Sequence, residues 1–286
     1  MNPFLNNKVS PEIPDYCYLI AEIGINHNGS LKIAKDLIAQ TKAAGFDAVK
    51  FQKRTIEIVY SPDVLKSARK SPWGETTLEQ KKGLEFSLDD YAEIDRYCKE
   101  LNIDWFVSCW DMNSQLQMQR FNTPYNKIAS AMGNNWDFVK YVASEKKPTF
   151  ASTGMMNLEE IDKLVNIFEE YKCPLILMHT VSTYPALEKD LNLNCIITLA
   201  NRYKIPIGYS GHETNTAPSI FSAVLGAAVI ERHVTLDRAM YGSDQSASLE
   251  LPGMYSLCST IRKLNDCLGD GEKKILAEEE IVSKKL

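Results

Sequence analysis

The sequence is poor in the features that would send a chain into a membrane, onto a nucleic acid or through an oxidising compartment. No segment of its 286 residues approaches the ~20 apolar residues that a bilayer-crossing helix needs. The polar, proline-containing stretch from Met1 to Pro14 has no apolar run like that of a signal peptide. No Lys/Arg run is long enough to track a phosphate backbone, and the formal charge of -5 reflects 37 acidic against 32 basic residues. The seven cysteines are odd in number and include no CxxC pair, which argues against a disulfide framework or a zinc knuckle and for reduced thiols. There is no internal repeat, no low-complexity tract, and no GxGxxG after the first candidate strand. These absences predict a soluble, cytoplasmic protein.

What is present is rhythm. Short apolar runs alternate with longer amphipathic ones, and 44% of the chain is hydrophobic, enough for one large core. Candidate strands fall at Tyr18–Gly24, Ala48–Gln52, Asp104–Ser108, Tyr125–Ile128, Thr149–Ser152, Leu175–His179, Pro206–Ser210 and Ala228–His233. The helix-like stretches between them, among them Leu31–Ala44, Leu88–Leu101, Asn113–Phe121, Leu158–Tyr171 and Leu191–Tyr203, carry apolar residues at three- and four-residue spacing, as in Ile161, Leu164, Val165 and Phe168. Eight strand–helix units predict parallel strands with crossover helices, and eight closes a (β/α)8 TIM barrel; an open doubly wound sheet is the alternative. The expected organisation is an extension over 1–15, a barrel over 16–270 and a tail over 271–286. About thirty residues between the second strand and Phe86, including Ser71-Pro72-Trp73-Gly74-Glu75, read as a long irregular loop acting as a lid.

Almost every candidate strand ends in something polar. Glu22, Lys50 with Gln52, Ser108, Lys127 with Ser130, Ser152, Ser182 with Tyr184, Ser210 with His212, and His233 lie at successive strand ends. One strand-end serine is ordinarily a cap or turn, but catalytic groups of barrels come from these ends, and eight together mark a site. Lys50 and Lys127 put two cations there. Either they pair with Glu22 or another carboxylate, or they await a dense anion such as a phosphate among serine hydroxyls. His212 and His233 end adjacent strands, where neutral imidazoles suit a divalent cation, although paired histidines are also common as satisfied core groups. His27, in an Asn-rich turn, and His179, at a strand end, are explained by hydrogen bonding.

Seven motifs in register then carry a likeness. Ala21-Glu22-Ile23-Gly24-Ile25-Asn26-His27-Asn28-Gly29-Ser30, Val49-Lys50-Phe51-Gln52, Lys127-Ile128-Ala129-Ser130, Ser152-Thr153-Gly154-Met155, Tyr184-Pro185, Tyr209-Ser210-Gly211-His212 and Glu231-Arg232-His233 resemble the N-acetylneuraminate (sialic acid) synthases and their legionaminic and pseudaminic relatives. The likeness runs over about residues 16–282. It implies a barrel enzyme that condenses phosphoenolpyruvate with an N-acylmannosamine-type aldehyde, using manganese or magnesium and releasing phosphate. By position, the resemblance implies that Lys50, Lys127, Ser130, Ser152 and Ser210 hold phosphoenolpyruvate. It likewise implies that His212 and His233 hold the metal, that Glu22 moves a proton, and that Gln52, Tyr184 and Asp244 face the sugar. Ser108 and Ser182 join the phosphoenolpyruvate set from their strand ends. The family further implies a homodimer and an antifreeze-like C-terminal domain, which a separate chain would have to supply here.

Three positions depart from the family pattern: Met132, where a glutamate touching the sugar is usual; Cys109, where threonine is common; and the stretch after the barrel. They leave the acceptor sugar open. A 3-deoxy-ulosonate phosphate synthase would want several arginines at the mouth, where only Arg54 and Arg232 are near, and Arg232 should point away from the His233 side of its strand. An inactive sugar- or partner-binding barrel is the reading from a different class.

Overall fold

The computed structural model describes residue 14 and residues 16–286; the expected extension over 1–15 therefore lies almost wholly outside the described residues. Among the described residues there are ten strands: β1 (Tyr18–Gly24), β2 (Ala48–Lys53), β3 (Ala68–Ser71), β4 (Gly74–Thr76), β5 (Asp104–Cys109), β6 (Asn126–Ile128), β7 (Thr149–Ser152), β8 (Leu175–Thr180), β9 (Ile207–Gly211) and β10 (Val229–His233). All but β3 and β4 form one closed parallel barrel in the order β1-β10-β9-β8-β7-β6-β5-β2. The (β/α)8 barrel expected from the alternation is the fold; the open sheet is not.

Two apolar populations hold it together. The outward faces of the strands pack against the surrounding helices in one continuous cluster that includes Leu19, Val49, Val107, Leu164, Leu177 and Ile230. The inward faces of the lower strands form a second cluster of Tyr18, Ile20, Phe106, Tyr125, Phe150, Ile176, Met178 and Val229. Rings of Tyr125 and Phe150 lie 5.0 Å apart and those of Phe106 and Phe150 5.5 Å apart, so the barrel floor is an aromatic plug. Each such buried side chain contributes about 1.5–3 kcal/mol, which is what lets the layer above it be polar.

Because side chains alternate along a strand, each strand that starts with an inward apolar residue reaches the mouth with an inward polar one. In β1 the sequence is Tyr18, Ile20, Glu22; in β10 it is Val229, Glu231, His233. Register then sets these residues side by side. Glu22 pairs across to both Lys50 and His233, Ser108 to both Gln52 and Lys127, and Ser210 to both Thr180 and Glu231.

The segment expected to be an irregular lid is not irregular, and none of its residues lines the cavity. It holds helices at Ile56–Val59, Pro62–Lys66 and Thr77–Leu84 and the antiparallel β3–β4 hairpin. Its start signals are local: Ser61 caps the second helix with Pro62 in the first turn, and Thr76 and Glu79 form a capping box. It docks beside the mouth, with Trp73 against Tyr241 at 5.7 Å. Gly29 (φ +67°) lies so close to it that a Cβ there would sit 2.0 Å from the Gly83 carbonyl oxygen. After the barrel a last helix, Ala277–Ser283, is exposed along its length. No helix among the described residues is long and apolar enough to cross a membrane.

Candidate active site

The upper inward layer encloses a cavity of about 140 Å³ at the C-terminal ends of the strands. Of the residues singled out above, Glu22, Lys50, Gln52, Ser108, Lys127, Ser130, Ser152, Ser182, Tyr184, Ser210, His212 and His233 line it. Asp244 is outside the lining and reaches the site through His233, its Oδ2 3.8 Å from the imidazole Nδ1. Among the insertion residues 56–85 none lines the cavity.

One residue that the strand-end reading passed over organises the floor of this cavity. The Glu231 carboxylate lies between the two lysines, 2.9 Å from Lys50 Nζ and 3.0 Å from Lys127 Nζ, and accepts a third hydrogen bond from Ser210 at 3.2 Å. Lys50 is also 3.3 Å from Glu22, and Lys127 donates to Ser152 at 2.8 Å. The lysines are therefore paired with carboxylates, the alternative to standing free. The signal was in the period of β10: Glu231 shares its inward face with His233, two residues on.

Burial shifts these groups in a consistent way. For Glu231, burial disfavours the charge, but Lys127 and Lys50 outweigh it and hold the carboxyl below its usual range. For Glu22, burial wins over Lys50, with Glu231 adding repulsion, and the carboxyl titrates at about 7. Burial likewise brings Lys127 down to about 8, although Glu231 pulls the other way. Two carboxyls 2.9 and 3.3 Å from one lysine have thus been driven apart, one fixed as an anion and one able to change charge near neutrality.

The imidazoles are held neutral. Burial, with repulsion from His233 next, lowers His212 to about 4, and His233 is lowered mainly by burial. His212 Nδ1 donates to the Val181 carbonyl at 2.7 Å, which leaves Nε2 to accept from the Tyr184 hydroxyl at 2.9 Å. His233 Nδ1 is buried without a hydrogen-bond partner, and the two rings are 5.4 Å apart. Two neutral imidazoles with one orphaned nitrogen fit a divalent cation. No group of three or more His, Cys, Asp or Glu suited to a metal occurs among the described residues. Ser108 Oγ and Ser182 Oγ are also buried in the cavity wall without hydrogen-bond partners. Unpaired buried hydroxyls around a cavity signal a polar ligand.

The remaining candidates are placed by the alternation of their strands. His27 is stacked on Phe86 at 3.9 Å and accepts from the Gly29 amide, and His179 bonds the Leu191 carbonyl; both are structural. Cys109 and Met132 lie in the outer apolar cluster, with Ser108 and Ala131 taking the cavity-facing places, so neither departure touches the cavity wall. Arg232 points outward, as expected, and is fully buried against Glu213 at 2.9 Å.

A closed parallel barrel whose mouth gathers buried cations, carboxylates, hydroxyls and imidazoles defines an enzyme of the (β/α)8 class. Residues 37–273 match the NeuB family. The chain is 36% identical over 273 residues to human N-acetylneuraminate-9-phosphate synthase, covering 94% of this chain and 76% of that protein. It is 34% identical to the N,N'-diacetyllegionaminic acid synthase of Legionella pneumophila, covering 90% of this chain and 75% of that one. In structure it resembles the N-acetylneuraminic acid (sialic acid) synthetase of Leptospira borgpetersenii serovar Hardjo-bovis, solved in complex with citrate. The TM-score is 0.83 at 28% identity, covering 95% of this chain and 91% of that chain. The chain belongs to the NeuB family of sialic and related nonulosonic acid synthases.

Proposed function

We propose that the chain condenses phosphoenolpyruvate with the open-chain aldehyde of an N-acylmannosamine-type sugar, releasing phosphate and forming a 2-keto-3-deoxy sugar acid. In this reaction C3 of phosphoenolpyruvate bonds to the aldehyde carbon, whose oxygen takes a proton. Water adds at C2, and phosphate leaves with the C2–O bond to give the ketone. The observation that carries the reading is the pair of buried lysines on the Glu231 carboxylate, beneath unpartnered hydroxyls and beside two neutral imidazoles.

Each group has a task suited to its surroundings. Lys50 and Lys127 receive the phosphate and carboxylate of phosphoenolpyruvate, which compete with Glu231 for the same ammonium groups. The hydroxyls of Ser108, Ser130, Ser152, Ser182 and Ser210 serve as neutral donors around it. Glu22, titrating near 7, can hold or give up a proton at working pH without a large driving force either way. Gln52, Tyr184 and Asp244 orient the sugar. His212 Nε2 and His233 Nδ1 would hold manganese or magnesium, which supplies Lewis-acid polarisation of the aldehyde carbonyl when bound.

The test is phosphate release from phosphoenolpyruvate with manganese present. The acceptor panel is N-acetylmannosamine, its 6-phosphate, its deoxy and diamino analogues, mannose and arabinose 5-phosphate. Release with an N-acylmannosamine-type sugar, abolished by chelator, is the expected result. Release with arabinose 5-phosphate alone would move the chain to the ulosonate phosphate synthases. Silence throughout would leave a binding role.

A further inference from the structure

Arg54 has no part in the chemistry above, yet its side chain is only 9% exposed and sits one step from the acid–base carboxyl. Its guanidinium stacks at 4.1 Å over the ring of Trp110, a cavity-lining residue, and one nitrogen lies 3.8 Å from Glu85. Another nitrogen donates to Oε1 of Gln52, and Gln52 Nε2 donates in turn to Oε1 of Glu22, both at 2.5 Å. A guanidinium offers hydrogens only, so the amide atom that faces it must be the oxygen. The amide nitrogen is thereby turned to Glu22, whatever rotation Gln52 would otherwise choose. Oε1 of Glu22 is then occupied by an N–H, while Oε2 faces the Lys50 ammonium at 3.3 Å, so the Gln52 amide and Lys50 together fix the carboxyl's orientation.

We infer that Arg54 is a positioning residue: it locks the Gln52 amide in the one orientation that donates to Glu22, and so holds the acid–base carboxyl in its place beside Lys50. Without it the amide can turn over and set its own oxygen against the carboxyl, where it would bind the proton that Glu22 must release. Arg54 touches no reacting atom and acts through Gln52. The charged and titratable groups around Glu22 itself, Lys50, Glu231 and His233, are unchanged by its removal.

The kinetic arm of the test rests on the synthase reading; the spectroscopic arm does not. Arg54→Leu should lower kcat about tenfold or more, a change of ~1.4 kcal/mol, with the KM for phosphoenolpyruvate held within about twofold. Arg54→Lys, also a pure donor, should restore most of the loss. In a Gln52→Met background Arg54→Leu should have no further effect on kcat, because the two act in series. By NMR, the assigned Gln52 side-chain NH2 signals should shift and exchange faster with solvent in Arg54→Leu and return in Arg54→Lys. Independent, multiplying losses in the double variant would overturn the inference, as would Gln52 signals that ignore Arg54. If Arg54→Leu fails to fold, comparison of Arg54→Lys with wild type in the presence and absence of Gln52 decides the same point. A kcat or amide signal in Arg54→Lys that is lost as fully as in Gln52→Met would overturn it. If the wild type has no synthase activity, the NMR result stands alone and the failure is that of the synthase reading.

Discussion

Replacing Glu231 with glutamine removes one negative charge from between two buried lysines while keeping the size of the side chain. Removing one partner of a buried ion pair costs ~3–5 kcal/mol, because the other charge is left uncompensated. The two lysines should fare differently. Lys50 keeps Glu22 at 3.3 Å, and Glu22, relieved of repulsion from Glu231, ionises more readily and takes that lysine over. Lys127 has no other carboxylate within ion-pair distance among the described residues. Burial already holds it at about 8 against the pull of Glu231, so without that carboxylate it falls lower still. For a lysine depressed by folding, the unfolded chain binds more protons between the folded and unfolded values, and stability rises with pH across that interval. In the wild type the interval opens at about 8; in the variant its lower edge moves into the neutral range. Urea unfolding followed by circular dichroism should therefore find Glu231→Gln less stable by ~3–5 kcal/mol near neutral pH, with part of the loss recovered as pH rises toward that of free lysine. A deficit below ~1 kcal/mol, the worth of an exposed pair, or one that is flat with pH, would refute the assignment of Glu231 as the group that sustains Lys127.

Three further outcomes are expected. Gly154→Ala would place a Cβ 2.2 Å from Ser182 Oγ and 2.7 Å from Ser130 Oγ. Displacing both hydroxyls should raise the KM for phosphoenolpyruvate about tenfold or more for ~1–3 kcal/mol of strain, with circular dichroism unchanged; an unaltered KM contradicts their role. His212→Ala should abolish metal-dependent turnover and leave the fold intact, whereas full turnover without metal would remove the imidazole from the mechanism. Arg232→Met strands the buried Glu213 carboxylate and should cost ~3–5 kcal/mol in unfolding. Its KM values should nevertheless stay near wild type, since Arg232 faces away from the cavity; a selective rise in KM would show that the outer face reaches the site.

How much of this was legible follows from the length over which each feature is encoded. The barrel was legible because its signal repeats eight times: strands such as Tyr18–Gly24 and Thr149–Ser152 and helices such as Leu31–Ala44 and Leu88–Leu101 stand where the apolar period put them. Boundaries failed where one helix gives way to another kind of turn. The stretch Asn113–Phe121 resolves into a helix Met112–Met118 and a 3-10 turn, and the helix expected to start at Leu191 begins at Cys195. The insertion was misread because its elements are three to eight residues long, too short for a hydrophobic period; only its caps, Ser61 and Thr76 with Glu79, announced them.

The site was legible for a different reason, and incomplete for the same one. Reading the last polar residue of each strand finds the groups at the rim, because the barrel aligns strand ends. It passes over a residue two places back, although the period of a strand keeps that residue on the same inward face. Glu231 is such a residue, one layer below His233, at the level where β9 and β10 register Ser210 beside it. A barrel interior has no solvent to neutralise a lysine, so two inward lysines require an inward carboxylate within ~4 Å unless a ligand is always present. Lys50 and Lys127, each on an inward position, were therefore enough to demand a third charged residue. Of the acidic residues that share an inward face near strand ends, Glu22 could serve only one of them across its own ladder. The charge that balances an anion site before its ligand arrives is thus deducible from the alternation of strands, provided the reading descends from the rim to the layer beneath it.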